Sequence, residues 1–382
     1  MYTKSPIKFI NKCLSRIYNR LLSIVYSRQY KKMFYCLKPT FQELVTKDEE
    51  KEYIKKWSSL GYVNPIYFRL FSNYVGKDSR IAPEDIVHNT IEALLNPIEY
   101  RGPYSDKNMY DKLLNNIPNC MAKTYMRRIG GHYYDDKYNR ILLNQNEIDK
   151  LNKLSGIVAK ITVDTSSGLG VRLLSNRDGI MKDKTNNESL SISYLNELGS
   201  DFIVQEYLSQ SEFMSSFNRS SINTLRMLVY RSVKDDKVHV LNTFLRIGRN
   251  GALMDNAHQG GAVVGVNSNG VLQHYLIDQF GNKFNEFNGI DFSTSTFTIP
   301  DWNTVMDFAK KVGESVMYHR LLNLDVMIDH NGSPKLIEFN IRSMGVWGYQ
   351  YAVGACFGDY TDEIIEYCAK IKNRAISEYL LL

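Results

Sequence analysis

Three residues near the end of the chain have the types and spacing of an oxygen-donor metal site. They lie in the run Leu324-Asp325-Val326-Met327-Ile328-Asp329-His330-Asn331-Gly332-Ser333-Pro334-Lys335-Leu336-Ile337-Glu338-Phe339-Asn340. Asn-Gly between two apolar runs is a strong signal for a two-residue hairpin loop. With that loop, His330 pairs with Ser333 and Asp325 lies directly across from Glu338. Asn340, two residues further on, points to the same face. Two carboxylates opposite each other on a ladder repel unless something positive lies between them. Oxygen ligands on strands suit Mg²⁺, which takes few protein ligands and completes its shell with phosphate oxygens and water. An exposed hairpin with two ordinary acids shows the same pattern, so other residues must decide.

A second constellation lies upstream. Ile157-Val158-Ala159-Lys160-Ile161 reads as a strand ending near a lysine, and Thr165-Ser166-Ser167-Gly168-Leu169-Gly170-Val171 follows. Small hydroxyl and glycine residues let backbone N–H groups approach phosphate oxygens, and Lys160 adds a point charge. A glycine-rich turn between strands is more often only a turn, and the G-x-x-x-x-G-K-[ST] loop is absent. Ser215-Ser216 and Ser220-Ser221 have no accompanying His/Asp pattern, which argues against a serine hydrolase.

The elements that must position these residues follow from periodicity. Residues 43–100 read as helical, with breaks near Gly61, Pro65, Pro83 and Pro97. From about residue 105 short apolar runs alternate with turn residues. Strands are expected over Gly156–Val163, Asp201–Tyr207, Thr224–Arg231, Val238–Ile247, Val263–Val266, Leu324–Ile328 and Lys335–Phe339. Trp302–Leu322 reads as a helix against the last hairpin, and residues 360–381 as a closing helix. Tyr133-Tyr134 and Tyr349 to Tyr351 are read as core packing.

Composition narrows the class. The 382 residues are 43% hydrophobic and 23% charged, ordinary for a globular protein with room for two or three domains. Five scattered cysteines form no C-x-x-C pair, which speaks against a zinc ribbon or a disulfide framework and fits a reducing, cytoplasmic setting. No apolar run reaches the roughly 18 residues that span a bilayer, and no secretory leader is expected. The formal charge is +6, yet residues 1–42 hold nine Lys or Arg and no acid. Basic character confined to one end does not suit a nucleic-acid binder.

That end, residues 5–35, reads as one amphipathic helix. Ile7, Ile10, Leu14, Ile17, Leu21, Ile24 and Val25 share a face opposite Lys4, Lys8, Lys12, Arg16 and Arg20. Such a helix suits an anionic membrane surface, with peripheral attachment to the inner face of the cell membrane. The alternative is docking of the apolar stripe on the protein's own helical region.

The string Val204-Gln205-Glu206-Tyr207-Leu208-Ser209-Gln210-Ser211-Glu212-Phe213 completes a pattern. A lysine strand with a glycine loop, a hinge strand followed by an acid, and a D-x12-E-x-N hairpin occur in the order found in the ATP-grasp superfamily. The chain resembles that superfamily over roughly residues 105–370. The metal and hinge motifs are similar to those of D-alanine–D-alanine ligases. Asn223-Thr224-Leu225-Arg226, Leu245-Arg246-Ile247-Gly248, Asp255-Asn256, Gly260-Gly261 and Asp106-Lys107-Asn108 look closer to the sugar-transfer-associated ATP-grasp proteins of bacterial surface-polysaccharide clusters.

The resemblance implies an α/β or α+β fold: two lobes clasping ATP over residues 105–382, a helical region over 43–104, and the basic helix and linker over 1–42. It implies that Lys107 and Lys160 contact phosphates, with Lys112 the alternative to Lys107. It implies that the loop with Ser166, Ser167, Gly168 and Gly170 closes over the β- and γ-phosphates. Backbone groups of Glu206 and Leu208, with the Gln205 amide, would meet adenine, and Glu212 the ribose. Asp325, Glu338 and Asn340 would bind one or two Mg²⁺. Arg226, Arg246 and Arg342 are placed at the reaction centre. His258 is read as structural. The implied reaction is ADP-forming carboxylate–amine ligation on a small-molecule or lipid-linked saccharide substrate. The alternative is phosphoryl transfer to a sugar or hydroxyl.

Overall fold

The computed structural model describes residues 42–163 and 170–372, the His258 side chain excepted, together with scattered helical positions between 10 and 35. The expectations for residues 1–9 and 373–381 lie outside the described residues.

Three helical segments open the described chain. Thr46 starts the first, Lys47–Trp57, with a capping box: its hydroxyl accepts from the Glu49 N–H, and the Glu49 carboxylate accepts from the Thr46 N–H. Tyr53 and Trp57, four residues apart, are fully buried. Pro65 precedes the second, Ile66–Val75, which stops at Gly76 with φ +83°. The third runs from Glu84 to Leu95 and contains one π turn, Val87–Ile91.

Two antiparallel sheets follow. The first contains β1 (Thr124–Ile129), β2 (His132–Tyr134), β3 (Gly156–Ile161), β4 (Val171–Arg177), β5 (Ile180–Asp183) and β6 (Phe202–Glu206), in the order β2-β1-β6-β3-β4-β5. The second contains β7 (Thr224–Arg231), β8 (Val238–Ile247), β9 (Ala262–Val266), β10 (Leu276–Ile277) and β11 (Lys283–Phe284). After a small ribbon of β12 (Glu286–Phe287) and β13 (Ile290–Asp291), it is completed by β14 (Leu321–Ile328) and β15 (Pro334–Asn340). Its order is β11-β10-β9-β8-β7-β14-β15.

Alternation divides the second sheet between two cores. Leu225, Met227 and Val229 point to one, under the helix Trp302–Ser315, whose Val305, Phe308, Ala309 and Val312 form an i, i+3, i+4, i+7 stripe. Leu228, Tyr230, Phe244 and Leu321 point to the other, shared with Tyr53, Trp57, Phe68 and Phe71 of the opening helices and with Tyr349 and Tyr351. Those two tyrosines are core residues, as the sequence suggests.

The helix expected to reach Leu322 ends at Ser315 and packs mainly on β7 and β8. Leu321 and Leu322 belong to β14, a central strand buried at all eight positions, where an unbroken apolar run is what two covered faces require. The closing helix is Thr361–Ile371. Among the described residues no helix is long and apolar enough to cross a membrane.

Candidate active site

The large sheet carries a row of charged residues on the face that elsewhere holds Leu228, Tyr230 and Phe244. Across it, Arg246 on β8 pairs with Thr224 on β7, Arg226 on β7 with Asp325 on β14, and Asp325 with Glu338 on β15. Asn340 pairs with Asn323, two residues before Asp325.

The Asp325–Glu338 pair forms as the sequence suggests, although the hairpin between them differs. Its loop has three residues, His330 to Gly332. Asp329 pairs with Ser333 through a 2.9 Å bond, and the Asp329 carboxylate accepts from the N–H groups of Asn331 and Ser333. That moves the outer half by one residue, so Val326 faces Leu336. A bulge between Asp325 and Val326 restores the register, and Leu336, Ile337 and Glu338 all reach the same cavity.

The charges are closely engaged. Arg226 forks onto Asp325, Nε to Oδ1 and Nη2 to Oδ2, each at 2.8 Å. Arg246 Nη2 lies 3.2 Å from Asp325 Oδ2, and its Nε 3.3 Å from Asp255 Oδ2. Arg246 also donates to the Thr224 hydroxyl, which donates to Asp255. Burial raises the Asp325 pKa, but the Arg226 and Arg246 charges outweigh it and hold the carboxyl below its ordinary value. Burial leaves Asp255 raised despite Arg246. Lys107 Nζ stands 3.1 Å from Glu338. Burial lowers Lys160 from 10.5 to about 8; Glu338 draws it up and Lys107 pushes it further down.

The small sheet supplies the facing wall. On β3, Ile157 and Ala159 enter the small-lobe core while Val158 and Lys160 line a cavity of about 390 Å³. Val171 and Leu173 of β4 and Gln205 of β6 line it too, with Leu336 and Ile337 opposite. An apolar slot between two sheets, ending at lysines and carboxylates, can hold a flat base at one end and phosphates at the other.

The same cavity collects Lys107, Lys160, Gln205, Glu206, Leu208, Arg226, Arg246, Asp325, Glu338 and Asn340. Lys112, the alternative to Lys107, is exposed, sits over the Tyr138 ring at 4.1 Å and does not line the cavity. The Glu206 N–H is spent on the Lys123 carbonyl at 2.8 Å, so it is not open to a nucleotide. Gly170 has φ +75°, and a Cβ there would lie 2.6 Å from Ile161, so the loop's return to β4 needs glycine. Ser166, Ser167 and Gly168 lie outside the described residues, as does the His258 side chain.

Two expected residues are not brought in. Glu212 opens the short helix Glu212–Phe217 with its side chain 95% exposed, 3.8 Å from Arg219. Arg342 is half-buried beyond β15 and does not line the cavity. Conversely, Asn323, Phe244, Ser343 and Trp347 line it without having been singled out. For Asn323 the signal was present, since it lies two residues before Asp325 on a strand.

A family model described as sugar-transfer associated ATP-grasp matches residues 104–364. The chain belongs to that family. Its fold is the ATP-grasp fold, an ATP-dependent ligase-like fold. Similar solved structures include D-alanine–D-alanine ligase from Bacillus anthracis (16% identity, 72% of this chain and 70% of that one, TM-score 0.39). The biotin carboxylase domain of 2-oxoglutarate carboxylase from Hydrogenobacter thermophilus follows at 12% identity, 70% of this chain and 45% of that one, with a TM-score of 0.40. N5-carboxyaminoimidazole synthetase from Staphylococcus aureus stands at 10%, 69% and 54%, with a TM-score of 0.40. No curated sequence matches the chain.

The donor set of this ATP-grasp protein fits a divalent ion held partly by phosphate. Among the described residues no three His, Cys, Asp or Glu side chains form a closed cage. Asp325 Oδ2 already accepts from both arginines, Oδ1 accepts from one N–H, and Glu338 Oε2 meets Lys107. The Asp325 and Glu338 carboxyls also lie within hydrogen-bonding reach of each other, and these two groups with the Asn340 carbonyl are the oxygens on offer to a metal. Few hard oxygen ligands are the Mg²⁺ pattern.

Proposed function

We propose that this protein is an ATP- and Mg²⁺-dependent carboxylate–amine ligase of bacterial surface polysaccharide synthesis. The observation that carries the chemistry is the charge balance of the cavity. Among the described residues, Lys107, Lys160, Arg226 and Arg246 meet Glu206, Asp255, Asp325 and Glu338 in equal number. A triphosphate entering alone would add uncompensated negative charge. Asp325, Glu338 and Asn340 would hold a divalent ion, which when bound would supply the missing positive charge and polarise the transferring phosphoryl group. Lys107 and Lys160 orient the phosphates, and the arginines fix Asp325. The acid's oxygen takes the γ-phosphoryl group and ADP leaves. The amine nitrogen then attacks the acyl carbon, loses a proton and expels phosphate. No side-chain nucleophile is required.

The test is ATP turnover against candidate acids with hydroxylamine as trap. ADP together with a hydroxamate is expected. ADP with a stable phosphoester would replace the ligase by a kinase, and AMP would overturn both.

We also propose that residues 5–35 hold the protein on an anionic membrane at the cytoplasmic face, beside a lipid-linked saccharide. Ile10, Ile17, Leu21 and Val25 are 52%, 58%, 57% and 57% exposed, so these described positions of the apolar stripe are not covered by the body of the protein. Arg20, Arg28, Lys31 and Lys32 are exposed as well; Lys4, Lys8, Lys12 and Arg16 lie outside the described residues. Each basic residue near such a surface contributes about 1 kcal/mol. Binding to anionic vesicles should weaken with salt and vanish on deleting residues 1–35, with ATP binding kept. A full-length protein that ignores such vesicles would refute this.

A further inference from the structure

Outside the matched family region, a charged ladder runs along the third helical segment. Glu84, His88, Glu92 and Asn96 recur every four residues through the π turn. His88 Nε2 lies 3.0 Å from Glu84 Oε1, and Nδ1 3.0 Å from Glu92 Oε1. A ring between two carboxylates donates from both nitrogens only as imidazolium. Burial opposes that charge, yet Glu92 and Glu84 raise the His88 pKa well above its ordinary value.

The ladder ends on the loop that follows the metal ligands. Glu92 Oε2 accepts the Ser343 N–H at 2.7 Å and Oε1 the Met344 N–H at 3.0 Å. Asn96 donates to the Ile341 carbonyl at 2.6 Å and the Leu321 carbonyl at 2.7 Å. From the other side, Asn323 donates to the Met344 carbonyl at 2.7 Å. Ser343, Met344 and Gly345 line the cavity, and Ser343 holds φ +50°, a region that a residue with a Cβ enters reluctantly. A buried charge whose two acceptor oxygens meet two consecutive N–H groups of a strained, cavity-lining loop does more than fasten a helix.

We infer that Glu92 is a positioning residue of the active site: it holds Ser343 and Met344 in the conformation that shapes the cavity beside Asn340, and His88 fixes the Glu92 carboxylate. The helical layer is thereby part of the active-site build. The inference rests on the cavity being the nucleotide site.

The experiment uses the full chain with MgADP as probe, read by calorimetry, and amide hydrogen exchange at residues 343 and 344. Glu92→Gln leaves one acceptor oxygen where two are needed and sets an N–H against a donor. Exchange at both amides should accelerate, and MgADP affinity should fall by about 10- to 100-fold, as for other partners that orient ligand groups from behind. Adding Ser343→Gly, which adopts the left-handed conformation freely, should recover much of that affinity. A role confined to anchoring the helix would give no such rescue. If Glu92→Gln does not fold, His88→Gln with and without Ser343→Gly is read the same way. Unchanged exchange, unchanged affinity, or a double variant no better than the single overturns the inference. A wild-type protein that does not bind MgADP would instead overturn the nucleotide-site reading.

Discussion

Replacing Glu338 by glutamine keeps the side chain's shape and removes one of the two charges that the proposed site would offer a metal. At the effective dielectric near a protein surface, a unit charge at 4 Å is worth roughly 4 kcal/mol. The Glu338 side chain is 28% exposed, so water screens part of this. A loss of about 3 kcal/mol in divalent-ion binding corresponds to a factor of ~100. Saturating Mg²⁺ does not restore the missing ligand, so turnover should stay down by about 100-fold or more. Stability should change little. The variant loses the attraction of Lys107 at 3.1 Å and is relieved of repulsion from Asp325 across the ladder, and these oppose each other. Metal-free ADP should bind the variant more tightly than the wild type, because a carboxylate facing the phosphates is gone. The assay is ADP release over a Mg²⁺ titration, with thermal melting and metal-free ADP binding alongside. Turnover within about threefold of wild type at saturating Mg²⁺, or weaker metal-free ADP binding, would refute the reasoning.

Asn96→Ala removes three buried bonds, to the Leu321 N–H, the Leu321 carbonyl and the Ile341 carbonyl, and should cost about 3 kcal/mol in urea unfolding. His319 should make the fold acid-sensitive: burial lowers its pKa from 6.5 to about 4. Because the folded value lies below the unfolded one, that stability is complete above about pH 6.5 and is lost as pH falls toward 4, by up to roughly 3 kcal/mol. His319→Phe should flatten this part of the urea-unfolding profile, and an unaltered slope would assign it to other groups.

The parts of the fold legible in sequence are those whose pattern is governed by one local cause. The strand Thr224–Arg231 is legible because its largely apolar run is buried at six of eight positions, as a strand covered on both faces requires. The hairpin was legible at its ligands through two compensating departures, since the longer loop and the bulge shift the register in opposite directions. True two-residue turns are Gly130-Gly131, Asp178-Gly179 and Asn288-Gly289, all six residues at positive φ, and they join β1–β2, β4–β5 and β12–β13, none of which is among the expected strands. Lys160 was legible because a lysine follows the cavity side of a strand. Glu92 was not, because nothing local relates a helix near residue 92 to a loop near residue 343. Glu212 was read from a string of residues, and its exposure follows from the short helix it begins.

The arginines change meaning once their partners are known. The face that carries Leu228 and Phe244 turns ionic at Arg226, Arg246 and Asp325 within one or two residues of the same strands. Burying such a cluster carries a desolvation cost of several kcal/mol per ion, and a well-packed apolar replacement is often as stable or more so. The cluster therefore does not serve stability best, and its place in a cleft points to chemistry. Asp325 takes the Nε/Nη2 edge of Arg226, so a substrate carboxylate could meet this arginine only through its remaining Nη1 and Nη2 N–H groups. Arg246, divided among Asp325, Asp255 and Thr224, is similarly committed. On the proposed reading their effect on the reaction would run through Asp325, whose carboxyl they hold below its ordinary pKa and whose rotamer they fix. On the proposed ligase reading, Lys107, Lys160 and a divalent ion held by Asp325, Glu338 and Asn340 would meet most of the acid's charge, because both arginines already spend donors on Asp325.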